Sequence, residues 1–336
     1  MKLSILDQVP ISSNQSAKEA LEQSVKLAQA AEQLGYERYW IAEHHDMPGL
    51  ACPAPEVMLS YIGAGTSRIR IGSGAVLLPH YKPYKIAEVY NLLATLFPDR
   101  IDLGIGRAPG GSAGVTSALS DHFLQNVWNM PSSLKELLHF IYNDHPEDSE
   151  FAKINAAPIP DIAPVPWLLG TSKKSALLAA EYGMAYAFGL FMSDKDAAEI
   201  LDCYYQAFKN GSNRKPRTIL TVTAFCAETT ELAEEIALSS LVWSIQRGKG
   251  KGHSGVPSLE EVKQYRLSET EKEALEKMKK KMIIGNPDQV KNKLLDLQKQ
   301  YKTDEIMIVT ITYSPEDRIK SYQLIANELI KRETVI

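Results

Sequence analysis

Residues 166–188 read PWLLGTSKKSALLAAEYGMAYAF. Residues 166–169 and 185–188 are short apolar runs, and 172–182 has helical composition and stops at Gly183. This is strand, helix, strand, and two parallel neighbours need such a crossover. The alternation continues outward in both directions. Strands are expected at 3–6, 39–42, 69–78 and 101–105 before this unit, and at 218–227 and 305–312 after it. Helical sequence follows each of the eight, the last over 315–331. In the first helix, Ser16 and Glu19 have capping-box spacing and Gly35 is the stop. Eight βα units fit an α/β fold of the closed (β/α)8 TIM-barrel kind, with an open doubly wound sheet as the alternative.

The chain has 336 residues and a formal charge of 37 − 41 = −4; 44% of it is hydrophobic and 23% charged. These are ordinary globular values. They fit one domain over 1–336 and argue against sequence-independent nucleic-acid binding, which needs clustered cations. No apolar run approaches the ~20 residues of a membrane span. Cys52, Cys203 and Cys226 form no CxxC pair and no metal framework, so a reduced, cytoplasmic setting is expected. The rhythm breaks longest between strands seven and eight. There Arg247-Gly248-Lys249-Gly250-Lys251-Gly252-His253 makes 244–258 read as a mobile lid loop, ahead of helical stretches at 270–281 and 287–299.

Barrel chemistry sits at strand C-termini. Glu43-His44-His45 follows strand two. In an extended chain His44 would face with Ala42, and His45 with Glu43, which argues against one metal held by both rings. Either imidazole could act as acid or base near neutrality; the plain alternative is two histidines satisfied by neighbours. Gly74 and Ala75 interrupt strand three, as at a bulge or where a flat ligand comes close. After strand four, Gly104-Ile105-Gly106-Arg107-Ala108-Pro109 has the wrong spacing for a dinucleotide loop. Arg107 offers a fork for phosphate or carboxylate, unless it pairs with Asp99 or Asp102. Gly170, Thr171, Ser172 and Ser175 open a helix, as an anion site or as plain N-capping.

The stretches YWIAEHHDMPG, TSRIRIGSGAVLLPHYKP, NLLATLFPDRIDLGIGRAPG, LLGTSKKSALLAAEYG and IIGNPDQVKNKL together resemble the bacterial luciferase-like flavin-dependent monooxygenases. The resemblance implies a barrel that takes reduced FMN from a separate flavin reductase. Such enzymes react it with O2 to a flavin hydroperoxide and oxidise a small organic substrate. It implies His44 as catalytic residue, with Glu43 and His45 in the substrate pocket. Arg107, Gly170, Thr171, Ser172 and Ser175 would hold the flavin phosphate. Gly74–Ala75 would be a cis peptide under the flavin ring. Gly106 falls where luciferase itself has a reactive cysteine, and Thr171 where it has an acid. The resemblance also implies a homodimer through helices near 53–62 and 85–96, with Tyr61, Ile62, Tyr90, Leu93 and Leu96 as contacts. The rivals are a deazaflavin-dependent hydride-transfer enzyme on the same barrel and a non-catalytic flavin-binding protein.

Overall fold

The computed structural model describes residues 1–208, 215–250, 252 and 255–330. Its strands in chain order are β1 (Lys2–Asp7), β2 (Arg38–Ile41), β3 (Arg70–Ser73), β4 (Val76–Leu77), β5 (Ile101–Gly106), β6 (Val165–Gly170), β7 (Ala185–Gly189), β8 (Thr218–Cys226), β9 (Ile283–Gly285) and β10 (Glu305–Val309). Eight of them, β1, β2, β3, β5, β6, β7, β8 and β10, pair in that order, and β10 returns to β1. Every pairing is parallel. This is the closed (β/α)8 barrel. Strands covered on both faces are apolar throughout, as in TILTVTAFC of β8. One apolar cluster fills the barrel interior with Leu6, Trp40, Trp167, Ala187, Ile219 and Met307. Another joins the outer faces of the strands to the helices, through Ile5, Tyr39, Leu103 and Tyr186.

The first helix, Ala17–Leu34, begins at the Ser16–Glu19 capping box and ends on Gly35 at φ 86°. The floor of the barrel, at the strand N-termini, is ionic. Arg38 Nη1 donates to Asp102 Oδ2 at 2.6 Å and its Nε to Glu305 Oε1 at 2.7 Å. Arg70 Nη2 donates to Asp102 Oδ1 at 2.9 Å. Asp102 and Arg70 thus satisfy each other, and neither acid suggested for Arg107 reaches it: Asp99 also lies against Arg70.

Several expectations change. The run at 69–78 is two strands, broken at Gly74–Ala75. The proposed lid begins inside a helix: Thr230–Gly248 carries residues 244–248, because Leu241, Val242, Trp243 and Ile245 keep burying its apolar face. Val256, at the other end of that segment, is buried and bridges to Ser12. Lys251, His253 and Ser254 of the expected lid, and Lys331 of the last helix, lie outside the described residues. Among the expected dimer contacts, Ile62, Tyr90 and Leu93 face the barrel and are buried, while Tyr61 and Leu96 are exposed. Trp128 is 81% exposed.

Candidate active site

A cavity of about 400 Å³ opens at the strand C-termini. Its walls include Gln8, Glu43, His44, Gly74, Ala75, Gly106, Arg107, Gly170, Thr171, Ser172, Ser175 and Thr221. Apolar walls come from Leu6, Ala42, Leu77, Phe191 and Met192. Nine of the ten residues that the resemblance assigned to the site line this cavity; the exception is His45. A more open hollow of about 620 Å³ lies beside Met1 and Lys291, away from these side chains.

His45 is a correction. Its Nε2 lies 2.8 Å from Glu43 Oε1, and it is packed behind Glu43 rather than on the cavity wall. Glu43 and His44 both line the cavity, although alternation would separate them. The reason is that β2 ends at Ile41, so pleating no longer sets side-chain direction at 43–45. Glu43 Oε1 also accepts from the Tyr81 hydroxyl at 2.7 Å, and Oε2 from the Leu77 N–H at 3.1 Å. Burial pushes the Glu43 carboxyl up, and these donors pull the other way. His45 N–H donates to the Gly110 carbonyl at 2.8 Å. The triad of Glu43, His45 and Tyr81 therefore ties together the loops after β2, β4 and β5.

His44 has a different environment. Its Nδ1 is buried with no hydrogen-bond partner among the described residues. Burial, then the charges of Arg247 and His45, lower its pKa to about 4, so the ring is neutral near pH 7. A buried, unpaired ring nitrogen in a cavity wall is what a bound molecule would satisfy.

The opposite wall fits an anion. Arg107 has no carboxylate within ion-pair distance among the described residues, unlike Arg38, Arg70 and Arg318. Ser172 and Ser175 form a reciprocal cap at the start of helix Lys173–Glu181, so the plain capping reading of this segment holds. The Ser175 hydroxyl also lies 3.0 Å from that of Tyr186, a buried residue not singled out from sequence. The backbone between these walls is crowded. The Gly74–Ala75 peptide is cis. A Cβ on Gly106 would stand 3.0 Å from Ala75 Cβ, and one on Gly170 2.4 Å from Ser175 Oγ. Gln8, Thr221, Phe191 and Met192 were missed; each but Thr221 follows a strand end, where position alone could have flagged it.

Residues 1–303 match the family model described as luciferase-like monooxygenase. A Bacillus subtilis protein, YceB, is 42% identical over 96% of this chain and 98% of its own length. The N-acetyl-S-alkylcysteine monooxygenase of the same organism is 36% identical, covering 98% of both chains. The solved structure of apo-MsnO8 superposes with a TM-score of 0.84 at 33% identity, covering 97% of this chain and 98% of that one. Two more distant structures share the fold. One is the oxygenating constituent of 3,6-diketocamphane monooxygenase from a Pseudomonas putida plasmid in complex with FMN, with TM-score 0.74 and 20% identity over 98% and 97% of the two chains. The other is an F420-dependent secondary alcohol dehydrogenase, with TM-score 0.67 and 13% identity over 98% and 92%. Shared sequence over nearly the whole chain, on a barrel whose mouth holds His44 and Arg107, leads to one conclusion: this chain belongs to the luciferase-like monooxygenase family.

Proposed function

We propose that this protein is the oxygenase of a two-component system that uses reduced FMN and O2 to oxidise a small organic substrate. The observation that carries the reading is the pairing of an acid-free Arg107 at one wall of the cavity with an unpartnered His44 Nδ1 at another. Reduced flavin, when bound, would supply electrons to O2 and so the oxygen chemistry. The chain's residues supply the rest. Arg107 pairs with the phosphate, helped by the Thr171, Ser172 and Ser175 hydroxyls and the helix N-terminus. Gly74 and Gly106 let a flat ring approach the backbone. His44, neutral at physiological pH, accepts and returns a proton at Nδ1. Leu6, Ala42, Leu77, Phe191 and Met192 exclude water.

The sequence carries no convincing nicotinamide site, so a separate flavin reductase is the proposed electron source. The relative that acts on N-acetyl-S-alkylcysteine makes sulfur-bearing organic compounds the first substrates to screen. We also infer a homodimer. Val57 and Tyr61 on helix Pro55–Gly65, with Leu92 and Leu96 on helix Pro83–Leu96, leave apolar side chains exposed on neighbouring helices. Light scattering at micromolar concentration should give twice the chain mass. No helix among the described residues is long and apolar enough to cross a membrane.

Oxygen uptake decides the main reading. Enzyme, reduced FMN and substrate together should consume O2 and form oxidised product. Substrate turnover with a deazaflavin and no O2 uptake would select the hydride-transfer rival. Flavin binding with no turnover across a broad panel would select the non-catalytic one.

A further inference from the structure

The helix Thr230–Gly248 brings Arg247 against Met47 of the loop that follows β2, near enough to His44 for its charge to act on that ring. Trp243 and Arg247 lie one turn apart on it, at i and i+4. The buried Trp243 ring presses on the loop after β2, so closely that a Cβ on Gly49 would stand 2.4 Å from it. Its Nε1 donates to the Gly252 carbonyl at 3.3 Å. The Arg247 guanidinium stacks on this ring, 4.7 Å from the centroid, and its Nη2 lies 3.1 Å from Met47 Sδ. Met47 is three residues beyond His44 on the same loop. The arginine is thus held beside the His44 loop by an indole and a thioether.

Neither partner neutralises it. Arg247 has no carboxylate within ion-pair distance among the described residues, whereas Lys249, two residues on, pairs with Glu271 at 2.7 Å. A cation kept oriented by stacking and left without a counter-charge is suited to an anion that arrives with a ligand. The arginine in the cavity wall, Arg107, stands on the Gly170–Ser175 side, where the proposed cofactor phosphate would occupy it. Glu43, the acid in the cavity wall, has both oxygens engaged by Tyr81, His45 and the Leu77 amide. The remaining walls are largely apolar and would suit a hydrocarbon portion.

We propose that Arg247 receives the carboxylate of an acidic organic substrate whose apolar portion lies in the cavity beside His44. The guanidinium fork matches a carboxylate at two points, and the Trp243 face limits its rotation. This assignment rests on the reading of the cavity as the place of substrate oxidation, and it names Arg247 as the residue that selects acids over neutral analogues.

The test compares octanoate with octanamide, ligands of equal chain length that differ in the head group. Binding is measured by calorimetry at low ionic strength, because salt screens an exposed pair. Wild-type protein should bind octanoate about 10- to 100-fold more tightly than octanamide. Arg247→Ala should bring octanoate to the octanamide level and leave octanamide within about two-fold. Arg247→Lys should keep part of the preference. No octanoate binding, no preference in wild type, or a preference that survives in Arg247→Ala would each overturn the proposal. FMN titration of the same proteins separates this from the cofactor reading. Failure of wild type to bind FMN sinks that reading, whereas the acid preference is measured without flavin.

Discussion

At the floor of the barrel Arg38 donates to two carboxylates and Arg70 shares one of them, whereas at the mouth Arg107 and Arg247 meet none among the described residues. The residue types are the same and the surroundings differ. The floor is sealed: Asp102 has no exposure and Arg38 almost none. A charge held there without a partner would cost several kcal/mol, so each is paired and hydrogen-bonded. At the mouth water can solvate a cation until a ligand replaces it. Arg38 also lies 5.0 Å from the Trp167 centroid, as Arg247 lies over Trp243, yet only the floor arginine has acids as well. Stacking on an indole therefore does not distinguish the two ends: at the floor Arg217 also lies over Trp167, 5.1 Å from its centroid, without a carboxylate in ion-pair distance among the described residues, whereas Arg38 donates to two. The difference separates Arg38 and Arg70, which pair within the barrel floor, from Arg107 and Arg247, which are proposed to meet ligands.

The widest break between the two ends should come from His44→Ala. Turnover should fall by about 10²–10⁴-fold, the usual contribution of a general acid–base group. FMN affinity should stay within a few-fold, since the phosphate contacts lie on other strands. Added imidazole should restore part of the rate. Steady-state oxygen uptake and a flavin titration on the same variant check this. Near-normal coupled turnover would return His44 to a structural role.

Asp102→Asn tests the other end. Removing the carboxylate charge leaves Arg38 with Glu305 and the more distant Glu37, and Arg70 with only the exposed Asp99. Urea unfolding should show a loss of about 3–5 kcal/mol, the cost of breaking a buried ion pair on one side. The folded fraction should bind FMN as before. A floor variant that kept its stability and lost flavin would erase the distinction between the ends.

Arg107→Ala should do the reverse. FMN binding should weaken by about 1.5–3 kcal/mol, the worth of a hydrogen-bonded charge contact, while riboflavin, which has no phosphate, should be nearly unaffected. Global stability should move by less than about 0.5 kcal/mol, as for exposed positions without a structural partner. Equal losses for FMN and riboflavin would remove Arg107 from the phosphate site.

The barrel was legible because periodicity survives in a single sequence. Apolar runs of strand length alternate with capped helices, and Gly35 and Gly183 mark helix ends whatever the tertiary context. His44 and Arg107 were singled out because they follow predicted strands, Gly74 because it interrupts one, and all three match family segments. What stayed hidden depends on contacts distant in sequence. Nothing in EHH says that β2 stops at Ile41, so the withdrawal of His45 behind Glu43 could not be read. Glycines 248, 250 and 252 suggested a loose segment from 244 onward, but Trp243 and Ile245 anchor the helix to Gly248. Arg247 looked like one cation of a basic loop, since its indole, its thioether and its lack of an acid are spatial facts. The free and paired arginines are indistinguishable in composition.

The smallest effect concerns pH and returns to His44. The folded imidazole titrates at about 4, against about 6.5 for a free one, because burial and the charges of Arg247 and His45 oppose protonation. As pH falls below 6.5 the unfolded chain takes up a proton that the folded chain still refuses. Unfolding is then coupled to proton binding, and stability declines with acidification. The contribution is fully present above pH 6.5, falls through the window down to about 4, and changes no further below it. The gap would be worth roughly 3 kcal/mol for a sealed group. For a ring only partly enclosed it is on the order of 2 kcal/mol. Asp7 and Asp102 also lose stability in acid. Burial pushes each carboxyl up, but Arg318 at one and Arg38 with Arg70 at the other pull it below the usual range, so their loss comes at lower pH. Those losses are common to wild type and a His44→Gln variant, and they cancel in the difference. Urea unfolding of both proteins between pH 7.5 and 4.5 should give curves that converge toward acid, as wild type alone loses the His44 contribution. Parallel curves would mean that His44 carries its proton as readily folded as unfolded. The mouth would then compensate its own charge, as the floor does.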